Sequence, residues 1–336
     1  MIIGIPRSLF YYRYQTLIRT FFKELDIDYV ISDPSTKKTL EEGKRLAPDE
    51  ACISLKLFLG HINNLKDKCN YIFIPRIESV KKDEKVCTNF YLLYDLVNNL
   101  FDMNILDINI DQTRSKSEKS AFIELGLFLG FSYNKTVNAY KKAKEKEKKV
   151  KNNLLLKQTN ILMNKNKKVL LVGHPYNIYD ELVGKPIINF LEKNGIDVVY
   201  ADIYDDKDIE KDVQTISSDV YFTFNKELIG GIVKYKDNVD GIILVTSFPC
   251  GPDSLINELI IRKAKDKPII NIIIDESNSD TGLLTRLESF IDIVNKEKAY
   301  EWKNYIFSTY WRLFLFCKTF YQKYNKFKCS SGSPNY

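Results

Sequence analysis

The chain has 336 residues, of which 44% are hydrophobic and 28% are charged, and its formal net charge at pH 7 is +6. This length is sufficient for two domains with buried cores, and the composition is that of an ordinary soluble globular protein. The charge is spread over many acidic and basic residues instead of one basic block. This distribution argues against a dedicated nucleic-acid-binding protein, while an anionic substrate such as a phosphate ester would fit.

The first half of the chain predicts alternating strands and helices. A short apolar strand stopped by Pro6, a helix with apolar residues at helical spacing and a second strand form a strand–helix–strand unit, which is typical of a parallel sheet. Strands are predicted at 2–5, 28–32, 71–75 and 105–110. Helices are predicted at 7–25, 39–46, 49–66, 91–101, 122–131 and 134–157. In the helix at 49–66, Asp49 is the predicted N-cap and Cys52 lies in the first turn, where the helix dipole favours a thiolate.

The second half repeats this pattern after a charged helical segment at 141–151, which is predicted to be a solvated helix face joining two domains. Strands are predicted at 169–172, 198–201, 241–248 and 268–274, and helices at 181–193, 226–235 and 281–294; residues 220–224 are predicted as a short strand or a helix start. The predicted fold class is therefore α/β, with two Rossmann-like or flavodoxin-like units of mainly parallel sheet joined by a charged helix.

The predicted domain organisation has four parts. Residues 1–135 form an N-terminal α/β domain, 136–167 a helical linker, 168–296 a C-terminal α/β domain, and 297–336 an aromatic helix with a polar tail. The most apolar stretch of that last part, 305–321, carries charged residues and is shorter than the roughly 20 residues of a membrane span. We expect a docking or buried amphipathic helix there and no membrane association. No signal peptide is predicted, so a cytoplasmic location is expected.

The cysteines divide into two groups. The sequence contains 6 cysteines without a CxxC pair and only 2 histidines, which excludes zinc-ribbon and ferredoxin spacings and most histidine-based zinc enzymes. Cys52, Cys87 and Cys250 each lie beside a turn where a predicted helix begins, on the side of an α/β sheet that binds ligands. The remaining ones are predicted to be packing or exposed thiols: Cys69, Cys317 and Cys329.

The spacing of Cys52, Cys87 and Cys250 matches no short metal motif, so the residues alone leave a shared metal site and unrelated thiols as open alternatives. If a shared site exists, three soft thiolates with so few histidines favour iron–sulfur over zinc, and one iron of a cubane would remain open for chemistry. This hypothesis predicts that the three sulfurs converge and that the site bridges the two domains.

Motifs along nearly the whole chain to about residue 296 carry a family resemblance. They are Ile3-Gly4-Ile5-Pro6-Arg7 followed by Tyr11-Tyr12; Pro48-Asp49-Glu50-Ala51-Cys52; Pro75-Arg76-Ile77 with Cys87 downstream; Gly173-His174-Pro175-Tyr176-Asn177; Phe248-Pro249-Cys250-Gly251-Pro252; and Asp275-Glu276 with Thr285-Arg286-Leu287-Glu288. In this order they resemble the family of 2-hydroxyacyl-CoA dehydratase subunits and CoA-substrate-specific enzyme activase-related proteins. Two stretches depart from the pattern: residues 277–281 and the aromatic tail after 296.

The resemblance implies that Cys52, Cys87 and Cys250 ligate an iron–sulfur cluster in an anaerobic, radical type of chemistry. A [4Fe–4S] cluster is expected; the [8Fe–9S] double cubane of other relatives needs more cysteine ligands than these. A separate ATP-hydrolysing iron–sulfur activator would supply a low-potential electron, and the absence of a GxxxxGK[ST] loop makes this chain the acceptor. The substrate would be a small molecule such as a CoA thioester, and related subunits pair, so a homo- or heterodimer is expected.

Two functional interpretations remain open. One is an enzyme, either a dehydratase-like lyase or a double-cubane-type reductase; the other is a non-catalytic electron-transfer or cluster-carrying accessory protein. A third, thiol-only α/β binding protein without metal is the weakest. For the enzyme, the candidate catalytic residues are His174, as a hydrogen-bond or proton donor, and Glu50, as an acid; the alternatives are a structural histidine and a charge that complements the helix dipole.

Other polar residues near the motifs also have two interpretations. Asp253 and Ser254 are predicted to be helix caps in preference to substrate contacts. Arg7 and Arg76 would either meet anionic groups or pair with carboxylates.

Overall fold

The computed structural model describes residues 1–205, 209–217, 219–264, 266–276 and 280–295. Met1–Glu288 form one compact unit, and a second unit begins at Ser289. The predicted aromatic helix at 305–321 and the polar tail, with Cys317 and Cys329, lie outside the described residues. The part of the chain that is described contains no helix long and apolar enough to cross a membrane.

The first half is built on a parallel sheet whose strands lie in the order second, first, third, fourth along the chain. Its strands, and a short pair next to them, are β1 (Ile2–Ile5), β2 (Asp28–Ile31), β3 (Tyr71–Phe73), β4 (Arg76–Ser79), β5 (Ile105–Leu106) and β6 (Asn109–Asp111). Pairing keeps one register across the break: Ile72 opposes Ile105, and Arg76 opposes Asn109. The pairs β3–β5 and β4–β6 are therefore two stretches of one parallel pair, interrupted near Pro75, which has no N–H to donate.

Six helices accompany these strands. They are α1 (Phe10–Glu24), α2 (Lys37–Lys44), α3 (Ile53–Leu65), α4 (Thr88–Leu100), α5 (Glu118–Phe128) and α6 (Tyr133–Met163). The predicted start of α3 at Asp49 was wrong, because the backbone N–H of Ala51 donates to the carbonyl of Pro48 (3.0 Å) and closes a turn before the helix begins. The helix predicted at 91–101 begins earlier than expected, at Thr88, whereas α3 begins later.

The charged helix α6 connects the two halves. Its first turns bury Ala139, Tyr140 and Ala143, and its far end buries Gln158, whose side-chain amide bonds the backbone of Tyr200 and Ile203. Between Ala143 and Gln158 no residue is fully buried. The prediction of a solvated, lysine-rich helix face between two α/β units is confirmed.

The second half repeats the strand order of the first. Its parallel sheet also runs second, first, third, fourth, with β7 (Lys168–Val172), β8 (Asp197–Tyr200), β9 (Gly241–Ser247) and β10 (Ile269–Ile274). Its helices are α7 (Pro175–Ile178), α8 (Lys185–Lys193), α9 (Ile209–Gln214), α10 (Thr223–Tyr235), α11 (Gly251–Lys263) and α12 (Asp280–Asn295). The predicted α/β class with mainly parallel sheets is confirmed, whereas the four-part domain division stays a prediction.

The structure corrects one helix start in this half and decides between two alternatives at another. The helix predicted at 181–193 begins only at Lys185, because Asp180 accepts the N–H groups of Leu182 and Val183 and holds a turn there. Residues 220–224, predicted as a short strand or a helix start, contain both a single parallel bridge at Phe222 and the start of α10 at Thr223.

The two halves share packing and not only a linker. The apolar core of the first half includes Phe224 of α10, and Tyr176 of α7 packs against the same core. Near them, Lys85 pairs with Phe222 in an isolated parallel bridge. This boundary between the halves is where the cysteine-bearing turns lie.

Candidate functional site

Three helices begin at cysteines that line one cavity. Cys52 is the N-cap of α3, Cys87 the N-cap of α4 and Cys250 the N-cap of α11, each with a non-helical backbone. All three residues line a cavity of about 360 Å³. The structure thus brings together the three cysteines that the sequence singled out, while Cys69 is not among the lining residues.

The walls of this cavity come from both halves. Leu9 and Phe90 line it from the first half, and Tyr176 and Pro249 from the second, so its lining is largely apolar. The cavity therefore lies where the two α/β units meet, which is the place predicted for a shared cysteine site. Its volume falls within the roughly 300–1,000 Å³ of small-molecule sites.

A tight turn delivers Cys250 to the cavity. The Phe248–Pro249 peptide bond is cis, and the N–H of Cys250 donates to the carbonyl of Ser247 at 2.8 Å. The carbonyl of Cys250 then accepts the N–H of Ser254 (3.1 Å), the first hydrogen bond of α11. The carboxyl end of β9 and the start of α11 are thereby joined over three residues, which fixes the thiol at the strand end.

Burial makes the three cysteine thiols weaker acids than a thiol in water. It raises the pKa of the Cys52, Cys87 and Cys250 thiols above their ordinary value, and the negative charge of Asp253 raises each further. Backbone N–H groups at the helix starts act in the opposite direction without prevailing. The helix start thus favours a thiolate at Cys52, as predicted, but desolvation outweighs it and the pKa of the thiol is raised.

Asp253 connects the cavity wall to His174. The Nε2 atom of His174 lies 2.9 Å from Oδ1 of Asp253, and the Asn225 side-chain amide donates to the same oxygen at 2.8 Å. All three residues are buried. Burial acts to raise the pKa of Asp253, but His174 and the hydrogen bonds from His174 and Asn225 hold it below its ordinary value.

These contacts settle several alternatives. His174 does not line the cavity but lies behind Asp253, which does. The prediction that Asp253 and Ser254 cap α11 was wrong: no side chain caps this helix, Asp253 binds His174 and Asn225, and the Ser254 hydroxyl donates to the carbonyl of Cys250. A catalytic role for His174 stays a prediction.

Glu50 lies at the cavity, in the turn that precedes α3, and its side chain is exposed. Its role as an acid stays a prediction. Of the two arginines, Arg76 pairs with Asp95 at 2.9 Å and with Asp107 at 3.7 Å. Arg7 lies over the ring of Tyr11 at 5.9 Å. Of the two predicted alternatives, Arg76 therefore pairs with carboxylates.

Two polar contacts beside the cysteines were missed by the sequence reasoning. The hydroxyls of Ser54 and Ser247 both donate to Oδ1 of Asn177, at 2.8 and 2.6 Å, and all three residues are buried. Lys56, also buried, binds Glu276 at 2.8 Å. The contacts of Ser54 and Lys56 join the two halves, and only the position of Asn177 and Glu276 within quoted motifs could have pointed to them.

The described residues contain no preformed group of metal ligands. Across the described ranges, no three or more His, Cys, Asp and Glu side chains form a group that could hold a metal ion. A mononuclear zinc site would need its sulfur ligands about 2.3 Å from one centre. The three thiols instead surround a cavity of small-molecule size.

A family model described as CoA enzyme activase uncharacterised domain (DUF2229) matches residues 2–203, more than half of the 336-residue chain. No curated protein matches it.

Solved structures resemble the chain only distantly. FpvC of Pseudomonas aeruginosa in complex with Ni²⁺ is 11% identical over 89% of this chain and 98% of its own, with a TM-score of 0.27. ZnuA is 10% identical over 88% and 99%, with a TM-score of 0.26. The UDP-GlcNAc 2-epimerase of Methanocaldococcus jannaschii is 11% identical over 89% and 94%, with a TM-score of 0.21. At these values the likenesses establish neither fold nor function.

Proposed function

Since the chain belongs to the family described as CoA enzyme activase uncharacterised domain (DUF2229), we propose that it is an iron–sulfur protein related to 2-hydroxyacyl-CoA dehydratase subunits. It would accept a low-potential electron from a separate ATP-hydrolysing activator and use it in reductive or radical dehydration of an acyl-CoA-like substrate. The observation that carries the proposal is the position of Cys52, Cys87 and Cys250 around one cavity.

The residues present fit a polynuclear cluster better than any single ion. Soft thiolate donors are the usual ligands of iron–sulfur clusters. The cavity that these donors line has a volume of about 360 Å³, which is larger than one ion needs. Because only three of its lining residues are cysteines, a [4Fe–4S] cluster with one open iron is preferred to an [8Fe–9S] double cubane.

The chain's own residues would each have a definite task. Cys52, Cys87 and Cys250 would hold the cluster, which when bound supplies single-electron transfer and an open iron. Leu9 and Phe90, both buried in the cavity wall, would exclude water from it. The N-termini of α3, α4 and α11 place partial positive charge beside a cluster whose ligands are anionic, which favours its binding.

The partners follow from the same proposal. A separate ATP-hydrolysing iron–sulfur activator would supply the electron, and the relation of the family to CoA enzyme activases favours a CoA thioester as the substrate class. Related subunits pair, so the working form would be a homo- or heterodimer. A reducing, cytoplasmic compartment suits an oxygen-sensitive cluster.

Anaerobic reconstitution with iron and sulfide tests the cluster directly. We expect the wild-type protein to take up about four iron atoms and to show sulfur-to-iron charge-transfer absorption. Cys52→Ser, Cys87→Ser and Cys250→Ser should each lose most of this absorption because a ligand is removed. Cys69→Ser is the matched control and should behave as the wild type, because Cys69 does not line the cavity.

The proposal fails if the wild-type protein binds no cluster, or if Cys69→Ser lowers binding as much as Cys250→Ser does. A second measurement separates an enzyme from an electron carrier. Addition of acyl-CoA compounds to the reduced, loaded protein should change its EPR spectrum if substrate reaches the open iron. An unchanged spectrum with every acyl-CoA tested would instead favour the non-catalytic carrier.

A further inference from the structure

A buried carboxylate lies in the wall of the cysteine cavity. Asp253 is 4% exposed and lines the same cavity as Cys52, Cys87 and Cys250. It follows Cys250 by three residues in the first turn of α11, so both side chains lie on the same side of that helix. Holding a cluster with three thiolates does not require this carboxylate, and its burial is costly unless it is hydrogen-bonded.

Two other elements hold this carboxylate in place. His174, which follows β7, contacts Oδ1 of Asp253 at 2.9 Å, and Asn225 of α10 donates to the same atom at 2.8 Å. His174 is itself packed against the ring of Tyr176, 5.1 Å away between centroids, which fixes the imidazole. His174 and Asn225, neither of which lines the cavity, thereby give the carboxylate a defined orientation.

A fixed negative charge beside a redox group opposes the addition of an electron. The effect is large where water is excluded, because the Coulomb interaction grows as the effective dielectric constant falls. Local charge and burial are among the protein features that set iron–sulfur reduction potentials.

Resting on the function proposed above, we propose that Asp253 sets the reduction potential of the cluster held by Cys52, Cys87 and Cys250 and keeps it low. His174 and Asn225 are the positioning residues that hold the Asp253 carboxylate. A low potential makes the reduced protein a strong donor to a substrate that is difficult to reduce, and it explains why an ATP-driven electron source is needed.

Redox titration of the reconstituted full-length protein, followed by EPR, tests this inference. Asp253→Asn keeps the shape of the side chain and removes its charge, so the midpoint potential should shift to a more positive value. Glu258→Gln is the matched control: it removes one carboxylate from the same helix, but Glu258 is exposed and paired with Arg262, so no shift is expected.

Asn225→Leu provides the opposite test. This change leaves the carboxylate but removes a donor that partly neutralises it, so the potential should become more negative. If the Asp253→Asn variant retains no cluster, the change in midpoint potential of the Asn225→Leu variant alone tests the role of Asp253. Equal potentials in the wild type and in every variant that binds a cluster would overturn the role of Asp253 while leaving the cluster itself intact. No cluster in the wild-type protein would instead overturn the proposed function.

Discussion

Cys52, Cys87 and Cys250 occupy positions where other residues would stabilise the fold better. The N-cap of a helix is usually Ser, Thr, Asp or Asn, and replacing such a cap costs about 1 kcal/mol of stability. No side chain caps α3, α4 or α11, whereas α2, α5 and α6 are capped by Thr36, Ser117 and Ser132. Helices α1, α7, α8 and α10 also lack a side-chain cap, so what distinguishes α3, α4 and α11 is that all three begin at cysteines around one cavity.

At the same scale, His61 is the residue whose titration should govern stability toward acid. It is fully buried, with Nδ1 2.9 Å from the Ser32 hydroxyl and Nε2 2.9 Å from that of Ser35. Burial, with a smaller contribution from the charge of Arg7, lowers the pKa of His61 to about 4. Since this folded value lies below that of an unfolded histidine, near 6.5, unfolding takes up a proton as the pH falls between the two values.

The neutral His61 should therefore stabilise the protein fully above pH 6.5, and this contribution should decline toward pH 4. Between pH 7.5 and pH 5 we expect a loss of about 2 kcal/mol from this residue. Urea unfolding of the wild type and of the His61→Gln variant at pH 7.5 and at pH 5 tests this. The difference between their free energies of unfolding should shrink by that amount at the lower pH. A difference that stays constant with pH would rule out this linkage.

At the scale of elements, the two parallel sheets have the same strand order. Glycines set how closely neighbouring helices approach one another. The strands of both sheets are parallel, so their carboxyl ends lie at the same edge, and the position of the first strand between the second and the third creates a switch point there. Helices α2 and α3 pack backbone to backbone: a Cβ at Gly60 would lie 2.0 Å from the carbonyl oxygen of Thr39. This contact holds α3, and with it Cys52.

Gly60→Ala should accordingly force α2 and α3 apart and destabilise the protein by more than about 2 kcal/mol, since overpacking against a backbone atom cannot relax cheaply. Gly251→Ala is the control, because nothing lies within 4 Å of a Cβ there. It should change the free energy of unfolding by less than about 1 kcal/mol. Chemical denaturation measures the free energy of unfolding of both variants. Equal values would show that the close approach of α2 and α3 does not limit the size of residue 60.

At the scale of the whole described unit, the cavity depends on the docking of its two halves. Arg13 of α1 donates from Nη1 and Nη2 to the two carboxylate oxygens of Glu227 of α10, with the Nη2 contact at 2.7 Å. Its guanidinium lies 4.5 Å from the ring centroid of Phe224. Lys226 also binds Glu84 at 2.9 Å. These contacts hold together the segments that carry Cys87 and Asn225.

A double-mutant cycle on Arg13 and Glu227 should reveal a coupling energy of about 1–3 kcal/mol, because the pair is bidentate and only partly exposed. The control cycle uses Arg262 and Glu258, an exposed pair within α11, which should give below about 1 kcal/mol. Loss of cluster retention in the Arg13→Leu variant is expected alongside. Equal coupling in both cycles would argue against a special role of Arg13 in docking.

The sequence by itself determined the parts of this protein that depend on local patterning. Alternating apolar runs and amphipathic segments predicted two parallel α/β units, and a charged helical segment predicted the solvated α6. The turns beside Cys52, Cys87 and Cys250 were recognisable because glycine, proline and helix starts leave a local signature. Boundaries such as that of α3 were displaced because hydrogen bonds within a turn decided them.

Only the tertiary structure decided what surrounds those thiols. That the three cysteines line one cavity, that burial outweighs the helix dipole in the pKa of Cys52, and that His174 binds Asp253 all depend on contacts between residues far apart in the chain. Desolvation and charge act through space, so their magnitudes are set by three-dimensional neighbours and leave no signature in the local sequence.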